Sequence, residues 1–331
     1  MGTVTDRRID VRAAEPSDRK AVLELLSASL GWTPDKRFDA FFSWKHEDNP
    51  LGRSPAWVAV DGGTVVGFRT FMRWEYQVGN GDVVRAVRAV DTATHPEYRG
   101  GGIFRRLTLE ALDALRAEGV ALVFNTPNNR SRPGYLKMGW TQVGRLPMAV
   151  RVRSPAALAR VVRARTPADL WSVGSTAGRP AVDVLASPRL AELVGSLPAA
   201  NGLSTRRTPD YLRWRYSFPP LGYRAIMAGD DMRAGVAVFR LRRRGPAIEC
   251  VLCEVLSPAG DQWARRVLER SVVRQSGADY VIRLGGSLAG RRGFVRVPRQ
   301  GPVLTWRPLA SATDGGRLGD WALTLGDIEL F

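Results

Sequence analysis

The residue types best suited to chemistry lie in the run Tyr98-Arg99-Gly100-Gly101-Gly102-Ile103-Phe104, and the chemistry they suit is anion binding. Consecutive glycines let bare backbone N–H groups approach a charged ligand without Cβ atoms in the way. The elements that would aim those groups flank the run. Residues 87–94, Val-Arg-Ala-Val-Asp-Thr-Ala-Thr, contain β-branched residues and no Pro or Gly, and read as a strand. Ile103, Phe104, Leu107, Ala111, Leu112 and Leu115 then recur at helical spacing, and the pattern stops at Gly119. Glycines at a strand-to-helix junction, facing the unpaired donors and positive dipole end of the helix, form a phosphate cradle.

Beyond the helix, Ala121-Leu122-Val123-Phe124 is a second apolar strand, followed by a segment holding Asn128, Tyr135 and Gly139-Trp140. The whole arrangement resembles the GNAT acetyltransferase superfamily. Arg99-x-x-Gly102 fits the first part of that family's signature. Asn128, seven residues before Tyr135, and the Gly139-Trp140 pair fit the second. Phe104 departs from the pattern, standing where the family usually has Gly or Ala. In that family an amine attacks the acetyl-CoA thioester directly in a ternary complex, so positioning carries much of the catalysis. The resemblance implies acetyl-CoA as co-substrate, with no metal. It implies that backbone groups of Thr92, Ala93 and Thr94 hold the pantetheine arm and acetyl carbonyl. Backbone N–H groups of Arg99, Gly100, Gly101, Gly102, Ile103 and Phe104 would bind the pyrophosphate, with the Arg99 side chain adding charge. Asn128 would anchor the cofactor from the other side, and Tyr135 would protonate the departing thiolate.

The general base is open at this level. Asp91 on the cradle strand, Glu75 on the preceding strand, and His46 and Glu47 before the core strands are candidates. A further one comes from resemblance: tandem GNAT enzymes of the enhanced-intracellular-survival type use their terminal carboxylate, which points to Phe331. The run from Trp321 to Phe331 reads as apolar and strand-like.

The net charge of +17 invites a nucleic-acid reading, but only four of the 49 basic residues are lysine (Lys20, Lys36, Lys45, Lys137). A GC-rich genome produces such an arginine bias without selection for binding. The excess is uneven, +4 over residues 1–150 and +13 over 151–331, which leaves room for an acidic acceptor or cofactor phosphates at the second half. The run Arg240-Leu241-Arg242-Arg243-Arg244-Gly245 reads as a solvated hairpin tip. Cys250 and Cys253 lie three apart on a strand, hence on opposite faces, and read as buried reduced thiols rather than a metal pair. No long apolar run is present, so no membrane partner is expected. The polar N-terminus makes the cytoplasm the default compartment. Oligomeric state is left open.

The chain also repeats itself. Trp44-Lys45-x4-Pro50-Leu51-Gly52 is echoed by Trp214-Arg215-x4-Pro220-Leu221-Gly222 at an offset of 170, and Gly139-Trp140 by Gly293-Phe294 at 154. Where the copy fails it is informative. Pro258 is followed by Ala259-Gly260-Asp261, with a carboxylate at the anion position and no Arg-x-x-Gly, and Ala289 stands where a tyrosine would be needed. The expected fold class is α/β (α+β), with two tandem GNAT-like mixed-sheet domains, the second degenerate. Its expected divisions are a catalytic domain at 1–150, a helical connector at 151–200, the degenerate domain at 201–310 and a terminal segment at 311–331. The expected function is acetyl transfer from acetyl-CoA to a primary amine of a small molecule, such as an amino sugar, a polyamine or a natural product. The rivals are an aminoacyl-tRNA-dependent transferase of the peptidoglycan-bridge type and a non-catalytic CoA- or nucleic-acid-binding module. If arginine bias accounts for the charge, tRNA and duplex DNA will bind weakly and lose affinity steeply with salt in an anisotropy titration. Tight, sequence-selective binding at physiological salt would favour the rivals.

Overall fold

The computed structural model describes residues 9–30, 35–79, 81–199, 201–285, 293–310 and 314–330. Two mixed sheets organise them. The first runs, in spatial order, β1 (Asp10–Ala13), β2 (Ala56–Asp61), β3 (Thr64–Val78), β4 (Asp82–Thr94), β5 (Leu122–Asn125), β15 (Val303–Pro308) and β6 (Thr141–Arg145), with β9 (Ser204–Thr205) paired to β3. The second runs β14 (Val295–Val297), β7 (Met148–Val152), β13 (Tyr280–Leu284), β12 (Ala247–Leu256), β11 (Val236–Arg244), β10 (Arg224–Met227) and β8 (Arg179–Pro180). Each sheet has one parallel pair, β4 with β5 and β12 with β13.

Helices cover these sheets because their apolar stripes leave no alternative. α1 (Arg19–Leu30) and α2 (Arg37–His46) bury Val22, Leu25, Leu26 and Phe42 against Val58, Phe68 and Ala93. α3 (Ile103–Ala117) covers the opposite face, sinking Ile103, Leu107, Ala111, Leu112 and Leu115. Each fully buried Leu or Ile contributes about 1.5–3 kcal/mol. α4 (Arg132–Lys137) brings Tyr135 into that same cluster.

The sheets exchange strands, which corrects the expected boundaries. β7 straddles the expected boundary at residue 150 and pairs wholly with β13 and β14, whereas β15, expected in the second domain, inserts between β5 and β6. The break falls at Leu146-Pro147, where proline cannot donate to a continuing ladder. Strand periodicity says nothing about which sheet a five-residue strand joins. The expected connector is likewise part of the second unit. It holds β8, α5 (Pro155–Arg163), α6 (Ala181–Leu185) and α7 (Leu190–Gly195), and buries Val184, Leu185, Leu190 and Leu193.

The internal repeat is physical. Trp44 Nε1 donates to the Trp214 carbonyl at 2.8 Å and Trp214 Nε1 donates to the Trp44 carbonyl at 2.7 Å, with the rings stacked 5.4 Å apart. α2 and α8 (Pro209–Arg215) thus meet through equivalent residues, inside the cluster that lies between the sheets. Asp261 caps α9 (Gln262–Gln275), accepting from Ala264 N at 2.8 Å, so a carboxylate occupies that helix start as expected. Ala289 lies outside the described residues. Cys250 and Cys253 are buried on opposite sides of β12, and burial pushes both thiols up.

Two further expectations fail. Arg240 is fully buried and Arg242 mostly so, because β11 is covered on both faces from Val236 to Leu241 and Glu329 meets Arg240 at 2.7 Å. The last residues are not a strand. Leu325–Ile328 form a helical turn, α10, that packs on β12.

The strand exchange makes the halves interdependent. A fragment of residues 1–150 lacks β15 and the Trp214 partner, and will be unfolded or aggregated by circular dichroism and size exclusion. Co-expression with 151–331 will restore a folded complex. A sharply melting 1–150 fragment would show that the exchange is dispensable.

Candidate acyl-transfer site

β4 and β5 run side by side only through Ala86–Leu122, Val87–Val123 and Arg88–Phe124. β5 ends at Asn125 while β4 continues to Thr94, so the two splay into a V. Just there β4 bulges. Its register against β3 slips between Phe68 and Thr70, and Asp91 takes φ +40°, a left-handed conformation unusual for a residue with a Cβ. Thr92 donates its hydroxyl to Phe68 O at 3.2 Å, Ala93 is buried against α1 and Phe42, and Thr94 pairs with Gly67. What residues 92–94 offer the V is backbone on the β5 side.

The V opens onto the glycine run. Gly100 and Gly102 have φ of +84° and +77°, and a Cβ built on either would meet nothing within 4 Å. Conformation, not crowding, selects glycine here, and the space it leaves faces outward. Gly102 offers α3 no side-chain cap. Arg106 N returns to Gly102 O at 3.0 Å, which leaves the N–H groups of Ile103, Phe104 and Arg105 as the helix's unpaired first-turn donors. Arg99 and Gly101 are exposed beside them. α3 is held in place by Ile103, whose Cγ2 would lie 2.5 Å from a Cβ at Gly67.

Tyr135 is 3% exposed, edge-on to Phe104 at 5.3 Å and to Trp140 at 5.2 Å. Phe104, the departure from the family pattern, therefore fixes the tyrosine ring. Tyr135 Oη accepts from Arg69 Nη1 at 2.7 Å. Arg69 was not expected from the sequence; its only signal is one arginine inside the apolar strand Val65-Val66-Gly67-Phe68-Arg69-Thr70-Phe71-Met72. Asn128 lies three residues before Ser131, the residue just ahead of α4. The Asn128 Oδ1 accepts from Arg130 N, Ser131 N and Ser131 Oγ at 3.0, 2.9 and 3.1 Å, closing the turn that launches α4.

The candidate bases are separated by their partners. Glu75 pairs with Arg206 at 2.8 Å, and Glu47 with Arg53 at 3.0 Å and Arg19 at 3.3 Å. Asp91 Oδ2 meets Lys45 Nζ and His46 Nε2, both at 2.7 Å. Burial works against its charge, but Lys45 and His46 outweigh that and hold the carboxyl well below the usual range, which makes Asp91 a poor proton acceptor. His46 is buried, and burial lowers its pKa despite Asp91, so it is neutral near pH 7. Its Nδ1 lies 3.0 Å from Ser54 Oγ. With Asp91 taking the Nε2 proton, Nδ1 is the acceptor for the serine hydroxyl. His46 and Ser54 border a cavity of about 480 Å³ that is also lined by Phe42, Trp57, Phe68 and Glu47. Phe331 lies outside the described residues.

Residues 10–143 match the family model described as the acetyltransferase (GNAT) domain. That part of the chain is similar to a GNAT acetyltransferase domain. The same architecture recurs in solved structures. One is a probable N-acyltransferase from Enterococcus faecalis (TM-score 0.65, 14% identity, covering 91% of this chain and 73% of that one). Another is a GCN5-related N-acetyltransferase from Anabaena variabilis (TM-score 0.64, 15% identity, 91% and 73%). A third is Eis1 from Mycobacterium abscessus (TM-score 0.57, 14% identity, 91% and 73%). At these identities the likeness is one of fold. Among curated proteins, no sequence matches this chain. No helix among the described residues is long and apolar enough to cross a membrane.

Replacing Asp91 by Asn would leave the buried Lys45 ammonium without its counter-charge, and will destabilise the protein by about 3–5 kcal/mol in denaturant melts. Adding Lys45→Met to that variant will recover much of the loss. Additive losses would mean that the pair is not coupled.

Proposed function

We propose that the chain is a tandem-GNAT enzyme that moves the acetyl group of acetyl-CoA to a primary amine of a small molecule, by direct attack in a ternary complex. The observation that carries this reading is the V between β4 and β5, which leads from the Asp91 bulge into unpaired N–H groups at the start of α3. In the second copy Asp261 stands at the equivalent helix start and would repel a pyrophosphate, which supports one functional cradle per chain.

Each residue then has a defined task. The backbone of Thr92, Ala93 and Thr94 presents the free edge of a strand to the amide groups of the pantetheine arm. The N–H groups from Gly100 to Arg105 receive the pyrophosphate, and exposed Arg99 adds charge. Asn128 acts by shaping the turn before α4. Tyr135 gives its hydroxyl proton to sulfur as the C–S bond breaks. The amine enters from the cavity bordered by Phe42, Trp57 and Glu47. There Ser54 and His46 relay its proton inward, and Asp91 fixes the histidine tautomer rather than acting as base.

Calorimetry will give one acetyl-CoA site per chain. Gly102→Asp will abolish it and Asp261→Ala will leave it unchanged; two equivalent sites would refute the reading. In an amine screen that detects free thiol, Tyr135→Phe will lower turnover by about 10²- to 10⁴-fold at nearly unchanged acetyl-CoA affinity. Activity that depends on neutral His46 is lost as His46 gains a proton. Because its pKa lies below 6.5, the acid limb of the rate profile will fall below pH 6.5, and it will vanish in His46→Gln. An acid limb that survives this change would assign the base elsewhere.

A further inference from the structure

We propose that Arg69 is a positioning residue for the sulfur end of the acyl donor. It would aim the Tyr135 hydroxyl at the leaving group and offer its own spare N–H groups to the negative charge that forms there. This rests on the acetyl-CoA reading above.

The guanidinium is fully buried, yet it has no ion-pair partner among the described residues. Nη1 serves Tyr135; Nε and Nη2 have no hydrogen-bond partner among the described residues. Its surroundings are aromatic, with the Phe71, Tyr135 and Phe104 ring centroids 4.6, 5.2 and 5.6 Å from Cζ. Ring faces attract the charge but do not satisfy the N–H groups. A guanidinium does not lose its proton in proteins, so neutralisation offers no relief. The carboxylate on the bulge, Asp91, is held by Lys45 and His46. A buried cation with unsatisfied donors, hydrogen-bonded to the Tyr135 hydroxyl, is matched by an acceptor that arrives with the ligand.

The hydrogen bond to Tyr135 also has a direction. Arg69 occupies a lone pair of Oη, so the phenol hydrogen is free to point elsewhere. As the amine nitrogen bonds to the acetyl carbon, the C–S bond breaks and its electron pair goes to sulfur. Tyr135 passes its proton to that sulfur. The phenolate that remains stays beside Arg69 until the proton shed by the new amide nitrogen restores it through solvent.

The test is binding, and needs no acceptor. Calorimetry compares CoA with desulfo-CoA, which lacks the sulfur, on the intact protein and on Arg69→Met. Charge-assisted hydrogen bonds imply that the wild type favours CoA by about 10- to 100-fold. Arg69→Met is expected to bind both ligands alike, at the wild-type affinity for desulfo-CoA. Arg69→Lys keeps the charge and the fold but loses the fork, and is expected to retain only part of the preference; it serves as the test variant if Arg69→Met does not fold. A wild type that binds both ligands equally, or an Arg69 variant that keeps the full preference, overturns the proposal while leaving the acetyl-CoA reading intact. A wild type that binds neither overturns both.

Discussion

Four arginines are buried around the last turn of the chain, and their neutralisation holds the molecule together. Arg88 belongs to the first sheet, Arg240 to the second, and Arg207 and Arg215 to the segment that joins them. Arg240 and Arg215 reach Glu329 at 2.7 and 3.5 Å; Arg207 reaches Glu254 at 3.0 Å and Asp327 at 3.3 Å. Backbone carbonyls of the same turn contribute: Gly326 O accepts from Arg215, and Asp327 O and Ile328 O accept from Arg88. A guanidinium taken out of water costs several kcal/mol unless paired and hydrogen-bonded. Residues 324–329 therefore bind both sheets at once, and removing them would leave several buried cations uncompensated.

The same turn explains how the two copies diverged. In the first copy Lys45, following Trp44, pairs with Asp91 at the bulge of β4. In the second, Arg215 follows Trp214, and the residue equivalent to Asp91 by the Pro96-to-Pro258 offset is Cys253. The missing carboxylate comes from Glu329, whose Oε1 lies 3.6 Å from Cys253 Sγ. Where the first copy leaves a V beside β4, the second has α10 packed on β12 and Asp261 capping α9. One slot stays open and its counterpart is filled by the chain itself.

Local chemistry was legible in the sequence and long-range pairing was not. The glycine run, the apolar stripe of α3, Tyr135 and the cap at Asp261 all follow from patterns within a few residues. So does the tryptophan repeat, although the reciprocal indole hydrogen bonds that give it meaning do not. Arg69 could not be assigned, because a one-residue slip between β3 and β4 decides which face its side chain enters, and Lys45 and the His46–Ser54 pair could not because they meet Asp91 and each other only through the packing of α2 and the loop after it. The exchange of β7 and β15 was hidden for a similar reason: strands of five or six residues carry no mark of their partner. The arginine run at 240–244 misled because charge density suggests solvent, whereas alternation along β11 turns Arg240 inward to an acid 89 residues away.

The V itself is a consequence of charge burial. Arg88 stands at the last paired position of β4, opposite Phe124, and its guanidinium stacks on that ring at 5.4 Å. From there Nη2 donates to Thr126 Oγ1 at 3.0 Å, just past the end of β5, and the group also meets the carbonyls of the terminal turn. Burial pulls its pKa down to about 10, offset in part by Tyr76 and Asp327, so it remains a cation at neutral pH. Zipping β5 further along β4 would have to carry Thr126 away from Arg88 and strip a hydrogen bond from a fully buried charge. Opening the V wider would pull Phe124 from the aromatic cluster it forms with Trp74, Tyr76 and Trp321. The splay is thus bounded on both sides by interactions beneath the sheet, on the face away from α3, and the cradle and Tyr135 on the other face inherit a fixed opening.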